Sequence, residues 1–204
     1  MSHYFTNDNI KSNEQKKKVI INNHEFIFTT DNGVFSKKGL DFGTRVLLET
    51  LEVNKMKGKV LDFGCGYGPI GIYLALNQEL EVHMIDINRR SLELARKNVD
   101  LNHVNVTIYE SDIYSNVHCK FDYIISNPPI RVGKKILYQI LFDAKKYLNK
   151  NGELWIVVNK GQGAKSLIKD LEQTYKVEVK NKVSGFYIIR AINDWLEDLS
   201  LIKL

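Results

Sequence analysis

Cysteine is scarce in this 204-residue chain, which has only Cys65 and Cys119. Two cysteines are too few for a disulfide framework. No C-x-x-C occurs, and one of the two sits inside a glycine-rich stretch and the other beside a histidine in a turn. Zinc and nucleophilic readings therefore give way to ordinary small side chains in a reducing, cytoplasmic setting. Also missing is any run of eighteen apolar residues, and the opening M-S-H-Y-F-T-N-D-N has no apolar core, which argues against membrane insertion and export. His3, His24, His83, His103 and His118 match no metal-ligand spacing, so no metal is expected. Internal repeats and low-complexity stretches are lacking too. A chain of this length can bury roughly 70% of its unfolded surface, enough for a core without covalent or metal staples.

Charge is in mild excess, with a net +5 and a pI near 9.0, which permits an acidic partner without demanding one. Basic residues bunch at Lys16 to Lys18, at Lys37 and Lys38, at Arg89 and Arg90, and at Arg131, Lys134 and Lys135. Gathered on one face they would make an electrostatic footprint for nucleic acid; scattered, each is a solvated surface cluster.

The chain is organised around residues 60–71, V-L-D-F-G-C-G-Y-G-P-I-G. Val60, Leu61 and Phe63 read as a buried parallel strand that breaks into Gly64, Gly66 and Gly68, after which Pro69 opens a helical pattern. Glycines let a ligand approach the main chain, and the free N–H groups of a helix start favour an electron-rich group. Gly66, Gly68 and Gly71 satisfy G-x-G-x-x-G, and Asp86 follows twenty residues after Gly66, as a dinucleotide site would ask. Asp62, however, would repel a pyrophosphate and attract an ammonium or sulfonium. S-adenosylmethionine carries both cations and has ribose hydroxyls for Asp86 to accept from. The stretch resembles motif I of the class I S-adenosylmethionine-dependent methyltransferases, D-x-G-x-G-x-G.

Along the chain, residues 1–15 are polar and aperiodic and read as a loose arm. Apolar runs at 19–21 and 26–28, joined by Asn22 to Glu25, predict a β-hairpin. A turn at Asp31 to Gly33 precedes Phe35 and a helix over 40–52. From there strands alternate with helices: strands at 60–63, 82–85, 104–109, 121–125, 154–158, 177–180 and 186–192, helices at 70–76, 92–101, 134–148 and 164–175. This predicts an α/β, Rossmann-like, doubly wound and mostly parallel seven-stranded sheet covered on both faces. The last connection is too short for a crossover, so the final strand is antiparallel. Residues 1–39 are expected to form an arm and hairpin packing on a domain at 40–204.

A second motif, Ser126-Asn127-Pro128-Pro129-Ile130, ends the fourth strand, on the sheet edge where ligands of such folds sit. The prolines fix φ, so the Pro128 carbonyl and the Asn127 side-chain oxygen are expected as a rigid pair of acceptors for an NH2 group. An amine conjugated to a ring is a poor nucleophile, and acceptors on its hydrogens stabilise the charge that develops as it attacks a methyl. The bland alternative is a capped Pro-Pro loop.

Asn-Pro-Pro after strand four is similar to the motif of methyltransferases acting on planar amino groups. Gly33-Val34-Phe35-Ser36, Gly39-Leu40-Asp41-Phe42-Gly43, Pro129-Ile130-Arg131 with Gly133-Lys134, and Lys160 with Gln162-Gly163-Ala164 narrow the resemblance to single-domain relatives of the ribosomal RNA small subunit methyltransferase C family. It runs from about Tyr4 to Ile192. It implies S-adenosylmethionine as cofactor, held by Asp62, Gly64, Cys65, Gly66 and Gly68 at the methionine end, Asp86 at the ribose, and Ile87, Asp112 and Ile113 at the adenine, with Asn127 nearby. Asn127, Pro128, Pro129 and Ile130 would carry the chemistry. Phe35, Arg131, Lys134 and Lys135 would meet substrate, and Phe35, Asp41 and Thr44 would close the cofactor pocket. Ile130 stands where the type member has an aromatic. The implied activity is guanine-N2 methylation of small-subunit (16S) ribosomal RNA by a monomer or weak homodimer, with ribosomal RNA or the small subunit as partner and no membrane or metal. Adenine-N6 or protein glutamine-N5 methylation, or an idle RNA-binding relative, remain open.

Overall fold

The structure, a computed structural model, describes residues 11–36 and 39–194, with the side chain of Arg131 outside the described set. It begins with a hairpin of β1 (Gln15–Ile21) and β2 (His24–Thr30). Asn22 and Asn23 both take positive φ, 45° and 65°, and make a two-residue turn where a four-residue one was expected. Asparagine tolerates this region, and its twist matches that of the paired strands. Val19, Ile21, Phe26 and Phe28 line the buried face. Of the arm expected to be loose, residues 1–10 lie outside the described residues. Ser12 and Asn13 are pinned to the Asp31 carboxylate at 2.8 and 2.6 Å.

Seven strands form the main sheet: β3 (Gly58–Phe63), β4 (Leu80–Asp86), β5 (Thr107–Glu110), β6 (Phe121–Ser126), β7 (Leu148–Asn159), β8 (Lys176–Val183) and β9 (Phe186–Ile192). Their order is β5-β4-β3-β6-β7-β9-β8. The doubly wound, mostly parallel sheet is as expected. The reversed strand β9, however, lies between β7 and β8, antiparallel to both, and β8 takes the edge. Burial explains the order. Tyr187, Ile188, Ile189 and Ala191 are apolar on both faces and need cover, whereas β8 alternates charge along an exposed edge.

Helices α1 (Phe42–Thr50), α2 (Pro69–Leu74) and α3 (Arg89–Leu101) cover one face, and the hairpin joins the same core. The other face is covered by α4 (Lys134–Tyr147) and α5 (Ala164–Leu171). Helix ends follow caps more than apolar periodicity: Asp41 accepts from Thr44 N, and Asn88 from Ser91 N. α1 therefore starts after Leu40, and α3 starts three residues before Leu92. The chain leaves β3 and β6, which are neighbours, toward opposite faces. Their following loops diverge and open a crevice at the carboxyl edge.

Asn98 fastens the hairpin to this frame. Fully buried on α3, it accepts from Thr29 N at 2.6 Å and donates to Thr29 O at 3.0 Å and to Tyr67 O at 2.8 Å. Asn98→Ala would leave these backbone groups buried and unpaired, so denaturant unfolding should show a loss on the order of 3 kcal/mol. Asn102→Ala, at the exposed end of the same contact with Ile27, should cost less than about 1 kcal/mol. Equal costs at the two positions would show that burial is not what makes the Asn98 contact strong.

Candidate active site

Beyond Phe63 the chain turns through Gly64 (φ 69°) and Gly66 (φ 57°), left-handed values that a side chain rarely adopts. A Cβ on either would meet nothing within 4 Å, so open space lies over both. Gly71 has a packing role, since a Cβ there would fall 2.5 Å from Met84 Cγ. Between the glycines, the side chain of Cys65 is buried in the core, and burial, reinforced by Asp62 and Asp86, holds its thiol well above the ordinary range. Only its backbone belongs to the loop surface.

Asp62 lies beneath the loop. Its side chain is wholly buried, with Oδ2 accepting from Gly71 N at 2.8 Å and Oδ1 without a partner. Burial pushes its pKa up to about 8; the Gly71 N–H opposes the shift and Asp86 adds to it. Asp86, half-buried at the end of β4, accepts from Gly66 N at 2.9 Å and from Asn88 N at 2.8 Å, and burial raises its pKa. A carboxylate has about four lone-pair sites, so it keeps accepting capacity. Ile87 follows it, half-buried.

Across the same edge, Ser111 N donates to Asp86 O at 3.1 Å and draws the loop after β5 alongside. Asp112 is exposed there, and Ile113 takes φ 51°, a strained value for a β-branched residue, with its carbonyl held by Ser111 Oγ at 3.1 Å. The structure thus brings Asp86, Ile87, Asp112 and Ile113 to one stretch of the crevice.

On the other side, Ser126 Oγ donates to Phe63 O at 2.8 Å and locks the ends of β3 and β6 together, so Gly64 and Asn127 leave side by side. Asn127 Nδ2 donates to Asp41 Oδ2 and to Thr44 Oγ1, both at 2.9 Å. With both amide hydrogens engaged, Oδ1 is turned the opposite way. Pro129 (φ −74°, ψ 81°) makes a tight turn in which Ile130 N donates to Pro128 O at 2.9 Å. Of the two expected free acceptors, one is therefore partly occupied: the Pro128 carbonyl has a single lone pair left. Asp41 and Thr44, expected to close the cofactor pocket, hold the Asn127 amide. The spacing Asp41-x-x-Thr44 signals a helix cap but not this long-range tether. Tyr67 Oη donates to Gly39 O at 3.1 Å, so the segment before α1 touches the glycine loop as well.

Phe35 is exposed. Lys134 and Lys135 are exposed on the first turn of α4, with Lys134 Nζ 4.8 Å from the Tyr138 ring centre; Arg131 occupies the turn before them. Residues of the other basic clusters are engaged in ion pairs. Lys18 pairs with Glu25 at 2.6 Å, Arg89 with Glu110 at 2.8 Å and Arg90 with the buried Asp31 at 2.8 Å. Lys37 and Lys38 lie outside the described residues. Among the described residues, no three His, Cys, Asp or Glu side chains cluster as a metal site would need, and no helix is long and apolar enough to cross a membrane.

The pattern of the methyltransferase small domain family matches residues 25–190. The chain is 46% identical over 195 residues to the uncharacterized protein YbxB of Bacillus subtilis, an alignment covering 93% of this chain and 97% of that one. It is 41% identical over 150 residues to ribosomal RNA small subunit methyltransferase C of Haemophilus influenzae, covering 71% of this chain but only 45% of the relative. Among solved structures, the T. thermophilus 16S rRNA N2 methyltransferase RsmC, in complex with AdoMet and guanosine, superposes with a TM-score of 0.80 at 25% identity. That match covers 91% of this chain and 52% of the other. The chain thus spans about half the length of the RsmC proteins it matches.

S-adenosylmethionine fits the residues present. The open backbone at Gly64 and Gly66 leaves room over the loop, the buried Asp62 Oδ1 lacks a partner, and Asp86 keeps accepting capacity for hydroxyls. The buried acid also sets a pH dependence. Between 3.8 and about 8 the folded chain keeps on Asp62 a proton that the unfolded chain has lost, so stability falls as pH rises through that window. Asp62→Asn should then be more stable than wild type at pH 8 by ~1 kcal/mol or more, and equal to it near pH 4, in thermal or denaturant unfolding. A cation bound over the loop favours the ionised acid. S-adenosylmethionine binding at pH 7 should therefore release up to about one proton, read as a buffer-dependent calorimetric enthalpy that Asp62→Asn abolishes. A buffer-independent enthalpy for wild type would show that Asp62 does not respond to the ligand.

Proposed function

Because the chain belongs to the methyltransferase small domain family, we propose that it methylates an exocyclic amine of a nucleobase, guanine N2 of small-subunit ribosomal RNA, with the RNA or the small subunit as its partner. The coarser activity follows from the family and its cofactor: the chain is an S-adenosylmethionine-dependent methyltransferase. The observation that carries the finer reading is the double tether on Asn127 Nδ2. It leaves Oδ1 as the face of the amide available to substrate, and such a face suits a hydrogen-bond donor.

When bound, S-adenosylmethionine supplies an electrophilic methyl on a sulfonium. The chain's own residues act on the amine. Asn127 Oδ1 accepts one of its hydrogens, and the remaining lone pair of the Pro128 carbonyl accepts the other. Both contacts strengthen as the nitrogen gains positive charge in forming the N–C bond, so they favour the transition state over the ground state. In such a transfer the methyl–sulfur bond would break with its electron pair left on a neutral thioether, and the nitrogen would shed one proton to water. Asp41 and Thr44 keep the amide from flipping, which would present Nδ2 hydrogens to a substrate that has only hydrogens to offer. Guanine is favoured by the T. thermophilus relative, a 16S rRNA N2 methyltransferase in complex with guanosine, and ribosomal RNA by the H. influenzae relative as well; Lys134 and Lys135 beside the motif suit a polynucleotide.

Mass-spectrometric mapping of modified nucleosides in ribosomal RNA from cells lacking the protein, with add-back of the purified chain to free RNA and to small subunits, tests the target. A missing N2-methylguanosine restored by the chain is the expected result. Methyl transfer to a protein glutamine or to adenine, with RNA guanine untouched, would replace the reading. At the residue level, Asn127→Ala should lower the single-turnover rate about a hundredfold with little change in cofactor affinity. Asp41→Ala, which frees the amide, should give a smaller loss in the same direction. An unchanged rate in the Asn127 variant would mean that the amine is held elsewhere.

A further inference from the structure

The cleft lacks a ring at Ile130, yet two rings stand close to it. Phe42, the first residue of α1, is 45% exposed and packs at 5.6 Å between ring centres on Phe186, the first residue of β9. Phe42 follows Asp41, whose carboxylate holds Asn127 at 2.9 Å. Phe186 pairs with Asn159, so it lies at the carboxyl end of β7, which neighbours β6 and the Asn127 loop. Along the crevice the order is therefore glycine loop after β3, Asn127 after β6, then the ring pair beyond β7. The acceptor for the amine lies between the cofactor loop on one side and the rings on the other.

The pair is held in place. Phe186 rests against the backbone of Gly43, where a Cβ would fall 2.8 Å from its Cε1. A cation borders it. Lys160 is exposed, its N donates to Gly185 O at 2.7 Å, immediately before Phe186, and among the described residues no acid pairs with its ammonium. An exposed ring, backed by a half-buried one and bordered by a lysine, suits an unstacked base and its phosphate, since the ring offers a π face and the lysine neutralises the backbone.

We propose that Phe42 and Phe186 form the shelf on which the target nucleobase stacks after leaving its own stack, in place of the ring missing at Ile130. The proposal rests on the nucleobase reading above. It assigns the offset for unstacking to these two rings and a flanking phosphate contact to Lys160.

The test uses the full chain with two single-stranded RNA oligonucleotides, identical except that one carries guanine and the other an abasic site at the centre. Wild type should bind the guanine oligonucleotide about tenfold more tightly, and Phe42→Leu and Phe186→Leu should each erase most of that preference while S-adenosylmethionine affinity stays unchanged. Phe42→Trp, which enlarges the π face at an exposed position, should keep or increase it. Gly43→Ala, which pushes the Phe186 ring aside, should act like Phe186→Leu. Lys160→Glu should weaken both oligonucleotides alike and reduce the salt dependence of binding. If the leucine variants keep the wild-type preference, or lose both oligonucleotides equally, the shelf is overturned while RNA methylation by wild type stands. If wild type neither binds nor methylates RNA, the nucleobase reading fails and the shelf fails with it.

Discussion

One carboxylate oxygen, Asp41 Oδ2, joins the parts of the site. It receives Thr44 N and so starts α1, and it receives Asn127 Nδ2 and so sets the orientation of the amide at the end of β6. An amide has two chemically opposite faces of nearly equal size, and nothing in the Asn-Pro-Pro loop itself selects between them. The selection comes from a residue 86 positions away that also caps a helix. Disturbing the helix start therefore disturbs the orientation of that amide, and Phe42 and Gly43, which follow directly, inherit the same fixed frame.

Much of this was legible in the sequence. Strand and helix alternation from residue 60 onward gave the doubly wound sheet, and two short motifs named the loops that meet at its carboxyl edge. Element ends were less legible, because Asp41 and Asn88 set helix starts by capping, a signal that apolar periodicity does not carry. The place of β9 between β7 and β8 was not legible for a similar reason. A short connection dictates that two strands are antiparallel, but only their relative burial decides which one takes the edge.

The site shows the same division. Composition and spacing located Asp62, Asp86 and Asn127, yet the position of Asp62 under the loop depends on strand phase. Asp62 alternates with Leu61 and Phe63, so it shares the face of Val60 and of the helix above, and its carboxyl must be buried there. Likewise, the Pro128 carbonyl looked wholly available because a turn between residues 128 and 130 has no signature beyond the prolines that permit it. Tethers such as Asn127 to Asp41 bridge elements far apart in the chain, and local patterns contain no register for them.

That separation has a consequence for how the protein becomes active. Several contacts that shape the crevice join residues far apart in the chain: 86 residues for Asn127 to Asp41, 63 for Ser126 to Phe63, and 69 for the hairpin to Asn98. Closing such spans costs chain entropy before any contact rewards it, which places them late in assembly. An incompletely folded chain would have a glycine loop of correct sequence but no oriented amide opposite it. Competence of the site then waits on these long-range contacts, and a partly folded chain lacks the oriented amide.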